Sequence, residues 1–284
     1  MEKFNPLMQV EKDEFFIPEV RKWSLEKYRL VGGFCDIFTT GMKNLWNQLV
    51  YIDLYAGAGF AKIKETGKVY KSSSLIALSL PIPFTKYIFC EKDPYCFSAL
   101  KSRIARDFSG INITLINKDS NLAINDVLSA IPPFGINNTQ LPFCFVDPYS
   151  LDFDFNTIRT IGNKRLMDFL ILQALHMDAN RNLIKYLKEK NDKIACYLGM
   201  DKWREDFKLD YKGYSNNFVK FLAEQYQKQM VNMGYLNERN MHQIRSNERN
   251  LPLYYLSFYS KHPRGLQFFK EVEKRTTAQL RLEI

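Results

Sequence analysis

Along the first two thirds of the chain, short apolar runs stop repeatedly at acidic residues. Residues 49–54 form one such run, closed by Asp53 and a glycine turn, and residues 87–90 form a second, stopped by Glu91. A third covers 111–116 and halts at Asn117-Lys118-Asp119, a fourth covers 143–146 and halts at Asp147-Pro148, and a fifth covers 168–172. Runs this short and this apolar predict parallel strands buried on both faces. Between them the spacing predicts helices over 94–108 and 121–131. Alternating strands and helices define an α/β fold, a mostly parallel twisted sheet with helices on both faces, whose ligands bind at the carboxyl ends of the strands.

Ahead of this core, Tyr28, Val31, Phe34, Cys35 and Phe38 recur at helical spacing, with Lys22, Glu26, Lys27 and Arg29 at the polar positions. This predicts an amphipathic helix over 23–38, and the charged first twenty residues, with two prolines, read as an arm lying against the body. From 178 to 249 the chain is polar, aromatic and rich in Lys and Asn, with no clean strand. Residues 253–259 return to strand character and 263–273 predict a closing helix. The chain therefore divides into an arm and entry helix (1–48), a Rossmann-like core (49–176), a helical insertion (177–250), and a strand and helix that complete the core (251–284).

With 284 residues, 46% hydrophobic and 25% charged, the chain suits one elaborated globular domain. Its net charge of +9 suits an anionic partner, nucleic acid first, although charge spread over solvated faces gives the same total. Cys35, Cys90, Cys96, Cys144 and Cys196 form no CxxC pair and have no His at ligand spacing, so no metal site and no disulfide framework is indicated. His176, His242 and His262 lie too far apart in sequence for a recognisable triad. Residues 1–12 lack the apolar core of a signal peptide, and no apolar run approaches the roughly 20 residues that cross a bilayer. A cytoplasmic protein is expected.

The chemistry gathers at the strand ends. In Asp53-Leu54-Tyr55-Ala56-Gly57-Ala58-Gly59, Gly57 and Gly59 allow a tight turn that brings backbone close to a ligand. A dinucleotide would call for a third glycine where Lys62 stands, which favours S-adenosylmethionine (SAM) over NAD or FAD. Two glycines alone also suit a purely structural turn. Glu91, with Asp93 as fallback, is placed to accept both ribose hydroxyls. Asp119, or Asn121 beside it, is placed to meet an adenine amino group; the competing role for each acid is a helix cap or an exposed strand end. After the fourth strand, Asp147-Pro148-Tyr149 suits catalysis on an exocyclic amine. The carboxylate and a nearby carbonyl accept the N–H groups, and Tyr149 stacks the base.

These segments, in this order, resemble the three-Cys-motif partner proteins (TcmP), a bacterial group with a class I SAM methyltransferase-like fold. The resemblance runs from the 23–38 helix through residues 51–59, 74–78 and 83–89. It continues through Asp119-Ser120-Asn121, Phe145-Val146-Asp147-Pro148-Tyr149, Met167-Asp168, Leu253-Tyr254-Tyr255-Leu256 and Lys261-His262-Pro263. It implies a Rossmann-like fold and a partner, a three-cysteine-motif protein that itself looks like a radical-SAM enzyme, but no particular reaction. Ser150 stands where relatives carry glycine, which is expected to narrow the approach to Tyr149. The expectation is a SAM-dependent methyltransferase acting on an exocyclic amine of RNA or DNA. The alternative is a non-catalytic, methyltransferase-like module that recognises a partner protein or nucleic acid, as in phage defence.

Overall fold

The computed structural model describes residues 4–179, 181–211, 217–238, 240–246 and 248–282. The chain begins with two short strands, β1 (Gln9–Val10) and β2 (Glu19–Val20), followed by α1 (Ser24–Met42) and β3 (Gln48–Asp53). Next come β4 (Phe60–Ile63), β5 (Val69–Lys71), α2 (Ser73–Leu78), β6 (Lys86–Cys90), α3 (Pro94–Asp107), β7 (Ile113–Ile116) and α4 (Ile124–Ala130). Then β8 (Gln140–Val146), α5 (Phe155–Lys164) and β9 (Asp168–Gln173) finish the parallel core. After a π-helical turn over Leu175–Ala179 come α6 (Leu183–Tyr186), α7 (Lys193–Leu198), α8 (Trp203–Tyr211), α9 (Phe218–Asn232), β10 (Asn240–Arg245), β11 (Pro252–Tyr259) and α10 (Pro263–Leu282).

The large sheet runs β10-β11-β9-β8-β3-β6-β7. Strands β9, β8, β3, β6 and β7 are parallel, and β11 is antiparallel to both of its neighbours. Numbered along the chain, the seven strands read 3-2-1-4-5-7-6 across the sheet, a Rossmann-like order with an antiparallel hairpin at one edge. Because β8 and β9 are buried at every position and β3 at all but its first, the sequence shows continuous apolar runs rather than alternation. Strand β8 begins earlier than its apolar run, at Gln140, and passes through Pro142, which is paired to Val50 of β3. Pairing with β9 starts only at Phe143, so the missing N–H at Pro142 interrupts no second ladder. Helix α1 packs on the sheet through Phe34, whose ring lies 4.8 Å from Phe143 and 4.7 Å from Phe258. Phe269 of α10 stacks on Phe258 at 5.3 Å.

Two elements depart from the sequence pattern. Strand β10 lies inside the stretch read as helical. It is a polar edge strand, Asn-Met-His-Gln-Ile-Arg, in which Ile244 alone has a fully buried side chain among those described, so one-sided burial leaves no apolar run to read. Its His242 is held between Glu26 of α1, at 2.7 Å, and Glu273 of α10, at 3.1 Å. Burial opposes the imidazolium, but the two carboxylates outweigh it and lift the pKa to about 9. The arm, in turn, is woven in and does not merely lie on the surface. β1 pairs with β5, and β2 with β4, in a separate sheet of order β1-β5-β4-β2. Two-residue strands carry no periodicity from which a sequence reading could find them. Among the described residues no helix is long and apolar enough to cross a membrane.

Candidate functional site

Strand order reverses between β3 and β8, and the crevice above their carboxyl ends is where open α/β sheets bind ligands. A cleft of about 570 Å³ opens there. Asp53, the last residue of β3, is fully buried behind it. Its Oδ1 accepts the Tyr55 N–H at 3.1 Å, and its Oδ2 accepts the Tyr51 hydroxyl at 3.3 Å. Burial, reinforced by the nearby Asp147 and Glu91 charges, outweighs the Ser73 and Tyr55 hydrogen bonds and lifts its pKa to about 7. Gly57 turns at φ +62°, with nothing within 4 Å of the position a Cβ would take. Backbone there is open to a ligand, and the left-handed conformation favours glycine. Gly59, at φ +85°, is packed instead, since a Cβ would meet Leu75 at 2.9 Å.

Glu91 closes the loop from the side. Its Oε2 accepts the Gly57 N–H and its Oε1 the Asp93 N–H, both at 2.8 Å. Burial pushes its carboxyl up, while these two N–H groups pull it back. Each oxygen retains a lone pair, so the carboxylate still suits a diol. Asp93 acts as the N-cap of α3, accepting the Cys96 N–H at 2.8 Å. Asp119 accepts the Asn121 N–H at 3.0 Å and pairs with Lys92 at 2.9 Å. Asn121 braces the segment after β8: its amide nitrogen donates to the Asp152 carbonyl, and its Oδ1 accepts the Asp154 N–H and the Thr157 hydroxyl. The cleft wall therefore includes Tyr55, Gly57, Asp147, Pro148 and Tyr149. Asp53 and Glu91 reach it through the loop, whereas Asp93, Asp119 and Asn121 stand apart from it.

The Asp147 side chain, 15% exposed, pairs through Oδ2 with the ammonium of Lys27 at 2.5 Å. Its Oδ1 has no partner among the described residues. Lys27 belongs to α1, and the sequence pattern assigns it to the polar face. The structure corrects this: Lys27 is buried, on the stripe that continues through Val31, Phe34 and Phe38. The signal was a lysine four residues before that apolar series. Its ammonium lies 5.2 Å from the Tyr28 ring centroid and 5.7 Å from that of Trp23, and Trp23 packs on Tyr254 at 4.6 Å. Burial and the Asp147 and Asp53 charges push the Tyr28 hydroxyl far up, so it stays neutral. Tyr149 is 95% exposed at the lip, an open aromatic face.

Ser150 does not narrow the approach to Tyr149. Its hydroxyl donates to Asp152 Oδ2 and accepts from Lys193 at 3.2 Å, so it faces the helical insertion. Lys193 also pairs with Asp152 at 2.6 Å and with Asp178 at 3.4 Å. Asp178 in turn accepts the Leu151 N–H at 2.9 Å, the Asn182 amide at 2.8 Å and the Tyr186 hydroxyl. Insertion residues thus fix the loop that carries Asp147-Pro148-Tyr149. Nothing in the sequence ties Asp178 or Lys193 to that loop, because the contacts span 27 and 43 residues.

Fold and site together define a Rossmann-like α/β protein with a ligand cleft at the switch point of its sheet. No family model and no curated protein matches the chain. Solved structures similar to it include a Legionella pneumophila protein of family-model DUF519, with 10% identity over 88% of this chain and 91% of that one, at a TM-score of 0.47. An rRNA methylase from Streptococcus thermophilus gives 10% identity over 84% and 97%, at 0.43. The P. horikoshii protein TYW2, in complex with MeSAdo, gives 14% identity over 92% and 74%, at 0.42.

Proposed function

We propose that the chain binds S-adenosylmethionine and methylates an exocyclic amine of nucleic acid. The observation that carries this reading is the convergence, on one cleft at the sheet's switch point, of the Asp53-to-Gly59 loop and the Asp147-Pro148-Tyr149 corner. When bound, S-adenosylmethionine supplies a methyl group on a positively charged sulfur. The residues fit such a ligand. Gly57 exposes backbone without a side chain, Glu91 offers two oxygens to ribose hydroxyls, and the buried Asp53 carboxyl sits behind the loop, where cationic charge favours its ionised form. Asp119, the sequence's candidate for the adenine amino group, lies outside this cleft with its oxygens on the Asn121 N–H and the Lys92 ammonium, so no ligand contact is assigned to it.

In the acceptor half, Asp147 Oδ1 accepts one N–H of the amine while Lys27 fixes Oδ2, so the carboxylate cannot rotate. Orientation of this kind lowers the barrier by bringing the reacting atoms together before the step. Tyr149 stacks on the base from the lip, and the chain's surplus of positive charge draws in the polyanion. Five free thiols suit a reducing cytoplasm. Assignment to the three-Cys-motif partner proteins, with a three-cysteine-motif protein as partner, rests on the order of motifs in the sequence.

Titration calorimetry with S-adenosylmethionine and S-adenosylhomocysteine tests the cofactor half, and absence of saturable binding at high micromolar ligand sinks it. Transfer of radiolabelled methyl to tRNA, rRNA and DNA tests the chemistry, with loss expected in Asp147→Ala. One observation favours a second reading: the ammonium of Lys27 already occupies one oxygen of Asp147, as suits a module that binds and does not methylate. Saturable cofactor binding with no transfer to any of the three nucleic acids selects that reading.

A further inference from the structure

Arg103, near the end of α3, is wholly buried, and all five of its N–H donors are satisfied. Nε and Nη2 donate to the two oxygens of Asp13 at 2.9 and 2.6 Å. Nη2 also donates to the Phe15 carbonyl at 3.3 Å, and Nη1 to the Phe16 carbonyl at 3.1 Å. The last Nη1 bond, at 2.6 Å, goes to the carbonyl of Ala58, between Gly57 and Gly59. The guanidinium lies 4.4 Å from the Phe60 ring centroid and 5.7 Å from that of Phe15. Although partial burial opposes its charge, Asp13 is held below the usual carboxylate range by Arg103.

Four of these five bonds end on the N-terminal arm and one on the glycine loop. The arm then supplies Pro18, Glu19, Val20 and Arg21 to the wall of the cleft, continued by Trp23 and Ser24 at the start of α1. Helix α3 also starts three residues after Glu91, capped by Asp93. A loop with glycines at φ +62° and +85° has little intrinsic stiffness, so it is held where a carbonyl is gripped. A planar, five-donor cation can grip loop and arm at once, which a lysine cannot.

We infer that Arg103 is a positioning residue that joins the arm to the glycine loop, so that the cleft binds its nucleoside ligand well only with the arm docked. This rests on the cofactor reading above. The full-length chain and its Asp13→Ala variant are compared by calorimetry with S-adenosylhomocysteine and by trypsin cleavage after Arg21 and Lys22. The variant is expected to bind at least tenfold more weakly and to be cut at the arm at least tenfold faster, with unchanged far-UV circular dichroism. Asp13→Glu, which restores a carboxylate for Arg103, is expected to recover most of the affinity, as a merely destabilising loss would not. Asp13→Asn replaces the alanine variant if that chain does not fold.

Faster arm cleavage with an affinity within twofold of the parent overturns the coupling, and unchanged cleavage overturns the staple. If the parent chain itself fails to bind S-adenosylhomocysteine, the cofactor reading falls and the affinity coupling with it. A parent that binds and a variant that binds equally well removes only the present inference.

Discussion

The N-terminal arm and the helical segment after β9 lie far apart in the sequence, yet each does the same task for a different wall of the cleft. The arm holds the glycine loop after β3 through Arg103 and Asp13, and the insertion holds the loop after β8 through Asp178 and Lys193. Their physics differs. Arg103 and Asp13 have side chains 0% and 9% exposed, whereas Lys193 is 26% exposed and its partner Asp152 68%. A buried, fully bonded ion pair is costly to break from one side, because the remaining charge is stranded. A half-exposed pair is screened by water and contributes little. The glycine-loop wall of the cleft is therefore built stiff, and the Asp147 wall rests mainly on the buried hydrogen bonds of Asp178.

That contrast can be broken in graded steps. Arg103→Met strands Asp13 and is expected to destabilise the fold by about 3–5 kcal/mol in urea denaturation, the largest effect. Asp178→Ala leaves the Leu151 N–H and the Tyr186 hydroxyl without their acceptor and should cost about 1–3 kcal/mol. It should also lower methyl transfer more than cofactor affinity. Lys193→Met should cost no more than about 1 kcal/mol. Since the two staples share no partner, Arg103→Met combined with Asp178→Ala should be additive within about 0.5 kcal/mol, and a larger coupling energy would join what the structure separates.

Proton linkage sharpens the same comparison. Asp13 and Asp178 are both held below the usual carboxylate range; burial opposes the charge, but Arg103 at one and the Leu151 N–H at the other outweigh it. A depressed carboxyl contributes stability above its unfolded pKa of about 3.9 that is lost as pH falls through the folded value. Both staples should loosen together in acid, seen as a falling melting temperature in pH-dependent melts. Asp53 behaves oppositely. With a pKa lifted to about 7, its ionisation weakens the fold as pH rises from about 4 to 7. Asp53→Asn should raise the melting temperature slightly at pH 8 while lowering cofactor affinity, and a variant that melts lower and binds normally would refute the assignment.

The parallel core was legible because strands buried on both faces must be apolar throughout, and the acids that end them follow from the loops they enter. Asp53, Gly57, Glu91 and Asp147 could thus be picked out, and they lie around the switch point. Edge strand β10 and the two-residue strands of the arm were not legible, since a polar edge or a two-residue pairing leaves no period in the chain. Among the candidates, sequence could not separate Asp93, a helix cap, or Asn121, a brace, from residues facing the cleft.

The sequence by itself determined the positions of the five parallel core strands along the chain and the acids that follow them, because burial on both faces and tight turns act locally on residue type. Tertiary structure alone decided which long-range partners meet: Lys27 with Asp147, Arg103 with Asp13 and Ala58, Asp178 with Leu151. Those pairings depend on where separate elements dock, and a buried charge or carbonyl takes its partner from whatever the fold brings within reach, at any distance along the chain.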